Sequence, residues 1–307
     1  MLLSVQTAGL VDRLGPEAGF RLIRACGFEA IDWNIDRGWD RAAVTAGRLE
    51  GSIFEQSDEA VLAFFADELA EIRKNGLVIT QAHAPFPSHV RGVPGFREYA
   101  VDIYRSCIRL CHAVGCRHLV IHGISCRYNE PEMTAGDMWE KNMALFGELI
   151  PTLLETDVTI CLESQFASTP LVTEGVCSDP RDAVAMIDGL NAAAGRECFG
   201  LCLDTGHLNL LRKNVVNYIR ILGTRIKALH IHDNNGVDDQ HMMPFTGCFR
   251  WQEFLSTLRE VGYKGDLSFE TWAQIRAERL PEEFIPVFLR AISGVGRIFR
   301  ASILGER

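Results

Sequence analysis

The chain has 307 residues, 47% of them hydrophobic and 23% charged, enough apolar material for a soluble globular protein with a sizeable core. Its net charge of −9 argues against a broad nucleic-acid surface, which needs clustered Lys and Arg. No apolar stretch reaches the roughly 18 residues that span a bilayer, and no basic, then long apolar, region opens the chain, so a cytoplasmic protein without membrane contact is expected. The ten cysteines form no Cys-x-x-Cys pair and no regular framework. Cys107, Cys111 and Cys116 fall on an expected helix, and Cys161 and Cys202 in apolar strand runs. They read as reduced, mostly buried thiols of a cytosolic protein.

Eight short apolar runs recur along the chain, each ending in polar residues and followed by a loop and a longer amphipathic stretch. They cover 2–6, 28–33, 77–83, 118–122, 158–163, 199–204, 226–232 and 267–270. Apolar runs without clean alternation suit parallel strands covered on both faces. Helix punctuation lies between them. Gly15-Pro16 opens one helix, and Gly27 follows its end. Ser57-Asp58-Glu59 opens a long helix stopping at Asn75-Gly76. Further helices are expected over 94–115, over 134–155 with Asp137 in the first turn, and from the cap Asp179-Pro180. The last two span 250–262 and 281–300, and the stretch 213–222 is more weakly punctuated.

Eight strand–helix alternations in this length predict a (β/α)8 barrel, an α/β fold. An open doubly wound sheet is disfavoured because no Gly-rich phosphate loop follows the first strand. No linker-like Pro/Ser/Gly stretch interrupts the chain, so residues 1–307 are expected to form one domain. The units share architecture, not residue-level repeats.

In such a barrel all strand C-termini lie on the face that carries the chemistry. The third strand ends in His83 and the fourth in His122. The fifth ends in Glu163, and the sixth in Asp204 with His207 one turn on. The seventh supplies His230 and His232, its loop Asp239 and His241, and the eighth ends in Glu270. Singly, each has a bland reading. A Glu after a strand is commonly a solvated loop start, and a strand-end His is commonly a hydrogen-bonded core residue. Asp204-x-x-His207 alone fits a helix N-cap, and Asp239-x-His241 alone a turn. Six successive strands placing a carboxylate or imidazole at the same relative position do not fit those readings jointly. Mixed His/Asp/Glu ligation suits Zn²⁺ or Mn²⁺, with Mg²⁺ or Co²⁺ also compatible.

His89, His112 and His118 do not fall at strand ends and receive no role. His232 shares the face of His230 if the strand stays extended, as a support or a substrate contact, with Asp233 and Asn234 as its orienting partners. Phe249 and Trp272 read as barrel-rim packing. Trp33 and Phe86 fit either packing or an apolar wall against a sugar ring.

The segments CLES, LDTGH, HIHDN, DQH and SFET, in this order and spacing, resemble the xylose isomerase-like TIM-barrel superfamily. That superfamily contains sugar phosphate isomerases and epimerases and the endonuclease IV class of abasic-site nucleases (AP endonuclease family 2). The resemblance spans essentially the whole chain. It implies a divalent metal on Glu163, Asp204, His230 and Glu270. In the nucleases three zinc ions are held with further ligands, and the matching positions here are His83, His122, His207, Asp239 and His241. HAPF after the third strand and HIHDNNGVDDQH resemble the isomerase-like members more than the nucleases, and the strand-end loops carry no basic cluster.

Two departures bear on activity. The usual Pro-Gly-x-Gly after the Asp-x-His is Pro244-Phe245-Thr246-Gly247 here. The arginine that ketose 3-epimerases carry after the seventh strand has no counterpart between His230 and His241, which counts against ketose epimerisation; inosose dehydratase-like members remain open.

The expected chemistry is thus metal-assisted proton transfer on a small sugar or polyol substrate. Glu163 and Glu270 would act as paired acid and base, and His207 would bind a substrate oxygen or donate a proton. An endonuclease IV-like trinuclear zinc nuclease and an inosose dehydratase-like lyase are the alternatives. Barrels of this kind often associate, so a homo-oligomer is possible, but no interface is legible.

Overall fold

Among the described residues there are ten strands: β1 Leu3–Gln6, β2 Ala30–Asn34, β3 Val78–His83, β4 His118–Ile121, β5 Thr159–Glu163, β6 Phe166–Ser168, β7 Val172–Glu174, β8 Phe199–Asp204, β9 Ile226–His230 and β10 Leu267–Phe269. The computed structural model describes residues 1–125, 133–168, 172–276 and 280–306. Eight strands pair in parallel in the order β10-β1-β2-β3-β4-β5-β8-β9. The two ends of this sheet meet. Ile231 bridges Phe269, its N–H donates to Ser268 O at 2.8 Å, and Glu270 N–H donates to Ile231 O at 3.1 Å. The eight expected strands therefore close into the (β/α)8 barrel. The antiparallel hairpin of β6 and β7, inserted after β5, was not foreseen.

The strands alternate, which the uniformly apolar runs concealed. Val5, Ile31, Ala82, Ile121, Leu162, Leu203, Leu229 and Phe269 pack into the main core beneath the helices. The residues between them point inward. Val120, Cys161, Cys202 and Ala228 form a small apolar cluster of their own. On the other side of the interior sit buried Ser4, Asp32, Gln81 and Ser268. Gln81 Nε2 donates to Asp32 Oδ2 (2.8 Å) and reaches across the barrel to Leu229 O (3.3 Å).

The helices begin and end largely where their punctuation lies. Asp179 accepts from Arg181 and Asp182 N–H at the start of Pro180–Ala194. Thr134 and Asp137 exchange bonds in a capping box, a device worth about 1 kcal/mol. Two expected helices are each broken in two. The first becomes Asp58–Phe64 and Ala66–Lys74, the second Ala135–Gly147 and Ile150–Leu154, where Pro151 opens a new first turn. The first helix starts early, at Leu10, and kinks at Gly15, so Pro16 still opens a helical segment. Cys126 lies outside the described residues; of the other nine cysteines, all free thiols, only Cys248 is exposed. Among the described residues no helix is long and apolar enough to cross a membrane.

Candidate metal centre

The period-2 alternation that turns small residues into the barrel brings a polar residue inward at the C-terminal end of every strand. In ring order from β1 these are Gln6, Asn34, His83, His122, Glu163, Asp204, His230 and Glu270. The sequence had pointed to the last six.

Glu163, Asp204, His230 and Glu270 converge so that one ligand atom from each lies within 4.8 Å of the others, and all four are buried. His230 is the hub. Its Nδ1 stands 2.9 Å from Glu163 Oε1, 3.3 Å from Glu270 Oε2 and 3.9 Å from Asp204 Oδ2. Gln6 Nε2 donates to the other Glu270 oxygen at 2.8 Å and fixes that carboxylate. Behind the ring, His230 Nε2 is 3.0 Å from Asp32 Oδ2, close but misaligned, so that Nε2 and Asp32 Oδ1 each lack a hydrogen-bond partner.

Two further groups adjoin this one. His83, His122 and Glu163 form the first, with 2.9 Å between the two histidine Nε2 atoms and 2.7 Å from His122 Nε2 to Glu163 Oε2. His207, His232, Asp239 and His241 form the second. Asp204 caps the helix Thr205–Leu210 by accepting from His207 N–H, which sets that histidine one turn beyond the strand. His207 Nδ1 donates to Ser164 O (2.9 Å), leaving Nε2 3.7 Å from Asp239. His241 Nε2 is 3.0 Å from Asp239.

His232 is fully buried, bonds Asp204 through Nε2 at 3.0 Å, and stacks on His241 at 3.9 Å, so it supports the centre from behind. The Gly of LDTGH makes this possible, since a Cβ on Gly206 would overlap the His232 ring. Asp233 and Asn234 orient the following loop instead of His232. Asp233 accepts from Phe245 N–H, Phe249 N–H and Trp251 Nε1, and Asn234 donates to Gly206 O.

The electrostatics fit a cation. Five carboxylates (Asp32, Glu163, Asp204, Asp239 and Glu270) crowd one small volume, and their ion pairs run to histidines. Burial pushes the Glu163 and Asp204 carboxyls up, yet the neighbouring imidazoles hold Glu163 well below the usual range and Asp204 below it. Burial disfavours the charged forms of His207 and His230, but their neighbours raise both well above the ordinary histidine value, Asp204 and Asp239 for His207, and Cys202, then Glu270 and Glu163, for His230. His241 is pushed up to about 9 against the same desolvation, chiefly by Glu270 and Asp239. His83 goes the other way, lowered by burial and by His122. Buried carboxylates whose ion pairs among the described residues run to imidazoles, beside partnerless Asp32 and Asp239 oxygens, make a donor set that a divalent metal would satisfy.

Above the centre opens a cavity of about 840 Å³. Glu163, Glu270, His83, His122, His207, Asp239 and His241 line it, whereas Asp204, His230 and His232 sit beneath. Phe86 and Trp272 both form its wall, stacked on His122 (4.7 Å) and His241 (4.3 Å) respectively. Trp272 is therefore not mere rim packing. Trp33 is core, with Nε1 donating to Glu68, and Phe249 packs on Trp251 and Phe254. His89, given no role from sequence, also lines the cavity, as do Gln6, Asn34, Asp36 and Gln165.

Carboxylates and imidazoles from six successive strands, gathered over the C-terminal mouth, make this an α/β barrel with side-chain groups that could hold a metal. The chain belongs to the family described as xylose isomerase-like TIM barrel, whose family model matches residues 20–290. It is 23% identical over 273 residues to a putative L-ribulose-5-phosphate 3-epimerase of Haemophilus influenzae, covering 85% of each chain. It is 25% identical over 179 residues to a probable endonuclease 4 of Mycoplasma pneumoniae, covering 55% of this chain and 57% of the other. The crystal structure of D-psicose 3-epimerase from Clostridium cellulolyticum H10 with D-tagatose superimposes with a TM-score of 0.71 at 15% identity, over 97% of this chain and 99% of that one. That likeness establishes the fold.

Proposed function

We propose that the protein is a divalent-metal-dependent isomerase or epimerase acting on a small hydroxy-carbonyl compound of the sugar, sugar phosphate or inosose type. The observation that carries this is the placement of Glu163 and Glu270. They approach His230 Nδ1 from different sectors of the ring of strands, and both also face a cavity of a size that suits a small ligand. The sugar epimerases among the relatives support the substrate class.

Glu163, Asp204, His230 and Glu270 would hold the metal, Mn²⁺ or Zn²⁺ by donor type, with Mg²⁺ or Co²⁺ compatible. When bound it would polarise the substrate carbonyl and acidify the adjacent C–H. Glu163 and Glu270 would flank the reacting carbons. One removes the proton and the other returns it, giving isomerisation or epimerisation through an enediolate. Loss of a β-hydroxyl from the same carbanion gives dehydration instead. His207, fixed by Ser164 O and held protonated by Asp204 and Asp239, binds a substrate oxygen or supplies a proton. His83, His122 and His241 offer further contacts to substrate hydroxyls. The test is the metal content of the purified chain by elemental mass spectrometry, followed by a screen of ketoses, inososes and hydroxy-keto acids. About one Mn²⁺ or Zn²⁺ per chain with turnover of one of these supports the reading.

The three adjoining ligand groups favour a second reading, a trinuclear zinc site hydrolysing phosphodiesters at abasic DNA. The resemblance to a probable endonuclease 4 supports it. Against it stand the net charge of −9 and a cavity whose lining among the described residues includes only two Lys or Arg side chains. About three zinc ions per chain together with cleavage of an abasic duplex would replace the first reading by this one.

A further inference from the structure

The sequence Asn-Gly occurs twice, at Asn75-Gly76 and at Asn235-Gly236. In such a pair the glycine main-chain nitrogen can close a five-membered ring on the Asn side-chain amide carbon, and no Cβ on the glycine hinders its approach. The fold treats the two pairs differently.

Asn235 is exposed, in the loop that carries Asp239 and His241. Its Oδ1 accepts two main-chain N–H bonds, from Val237 at 2.9 Å and from Asp238 at 2.8 Å. Two N–H dipoles on one carbonyl oxygen polarise the amide carbon, and they already point where negative charge develops under attack. Nδ2, the leaving group, donates to Asp238 Oδ2 at 3.1 Å, which fixes the orientation of the amide. The Gly236 N–H donates to Asn234 Oδ1 at 2.9 Å, so an acceptor faces the proton that the attacking nitrogen must lose. Gly236 stands at φ +75°, a conformation that favours glycine.

The other candidates are arranged otherwise. Asn234 is buried and held at both ends, with Nδ2 donating to Gly206 O and Oδ1 accepting from Gly236 and Asn209. Asn75 closes the helix Ala66–Lys74. Its Nδ2 turns back to Glu71 O at 2.8 Å, and the Gly76 N–H donates to Arg73 O at 3.0 Å.

We propose that Asn235 is a self-modification site, at which the loop serving the centre is first cyclised and then altered. The Gly236 nitrogen attacks Asn235 Cγ. The N–Cγ bond forms and the proton of that nitrogen passes to water. The Cγ–Nδ2 bond breaks, and the amide nitrogen leaves as ammonia with a proton taken from water. Water then opens the succinimide at either carbonyl, giving aspartate or isoaspartate; no oxidant or reductant takes part. Isoaspartate routes the main chain through the former side chain and so lengthens it, and either product adds a negative charge near Asp238. Both changes disturb the turn that leads to Asp239 and His241. The step is independent of the isomerase reading.

The test incubates the protein, with its own metal content, in mildly alkaline buffer, both folded and in guanidinium chloride. Peptide mapping by mass spectrometry follows both pairs, with isoaspartyl methyltransferase marking isoaspartate. In the folded chain Asn235 should convert at least about tenfold faster than Asn75, because the two donors act on its amide alone. In guanidinium chloride the two should differ far less, since both are Asn-Gly. Asn235→Ser, which keeps an oxygen acceptor for the turn, should abolish the product. The converted chain, separated by anion exchange, should lose hydrogen-exchange protection over 233–241. Conversion of Asn235 no faster than that of Asn75 in the folded chain, or slower than in guanidinium chloride, overturns the proposal. Unchanged protection over 233–241 would overturn the link to the centre.

Discussion

His230 Nε2 stands 3.0 Å from Asp32 Oδ2, and neither residue reaches solvent. The far nitrogen of the same ring faces the carboxylates of Glu163 and Glu270. The Asp32 charge beside Nε2 favours the tautomer protonated there, which leaves the Nδ1 lone pair for a metal; a carboxylate behind a ligating histidine acts in this way. Gln81 and Ser268 in turn hold the aspartate. Asp32→Asn keeps the shape but loses the charge. It should lower metal affinity about 10- to 100-fold in a chelator-competition assay, with a smaller effect on the folding midpoint. Undiminished affinity would mean that Asp32 is only a packing residue.

Glu163→Gln and Glu270→Gln test the proton-transfer roles. Each should abolish measurable turnover while circular dichroism and the melting transition stay near wild type, because amide and carboxylate have nearly the same volume. Glu270 also accepts from Gln6, an interaction the amide can keep through its oxygen. A fully active Glu270→Gln protein would remove Glu270 from the mechanism.

Gly206→Ala addresses the support beneath the centre. The new methyl would overlap the His232 ring, itself clamped between Asp204 and His241. Overpacking of this kind costs about 1–3 kcal/mol, read as a shift in the urea midpoint. Metal affinity should fall with it, since Asp204 is pulled by the same ring. A variant of wild-type stability and affinity would show that the ring has room to move.

The histidines make stability depend on pH to an extent set by metal occupancy. In the metal-free protein His241 is held up to about 9, and His207 and His230 stand well above their ordinary value. Groups whose folded pKa is raised contribute stability below the unfolded value near 6.5, and lose it as pH rises through the folded pKa. Metal-free protein should therefore lose melting temperature between about pH 6.5 and 9 and beyond. Metal loading on Glu163, Asp204, His230 and Glu270 displaces the His230 proton, so the loaded protein should show a smaller decline and should release a proton on binding near neutral pH. Calorimetry in buffers of different ionisation enthalpy reads the release directly; binding without proton uptake by the buffer would contradict the account.

The barrel and most of the centre were legible because both follow from what each strand does at its C-terminal end. His83, His122, Glu163, Asp204, His230 and Glu270 each close an apolar run, so a shared position could be seen without knowing any contact. Asp32 was missed because it lies in the middle of the run AIDWN, two residues before the strand end, where a buried aspartate has no local signal; its neighbour across the barrel, His230, explains it. The cavity-lining positions of Trp272 and His89 were not legible for a related reason, since the loops that turn them into the cavity have no periodicity to read. The hairpin of β6 and β7 carries three-residue strands, too short to stand out from loop. Gly206 had a readable signal in retrospect: a glycine inside LDTGH, at a helix's first turn, marks a place where something packs against the backbone.

The most direct test of the central claim is solvent hydrogen exchange. The metal-loaded protein is incubated in D₂O with phosphorylated and neutral ketoses and with inososes, and deuterium at the carbon next to the carbonyl is followed by NMR. The account predicts metal-dependent incorporation into one of these compounds, lost in both Glu163→Gln and Glu270→Gln. Absence of exchange with all of them, alongside metal-dependent cleavage of an abasic DNA duplex, would contradict it.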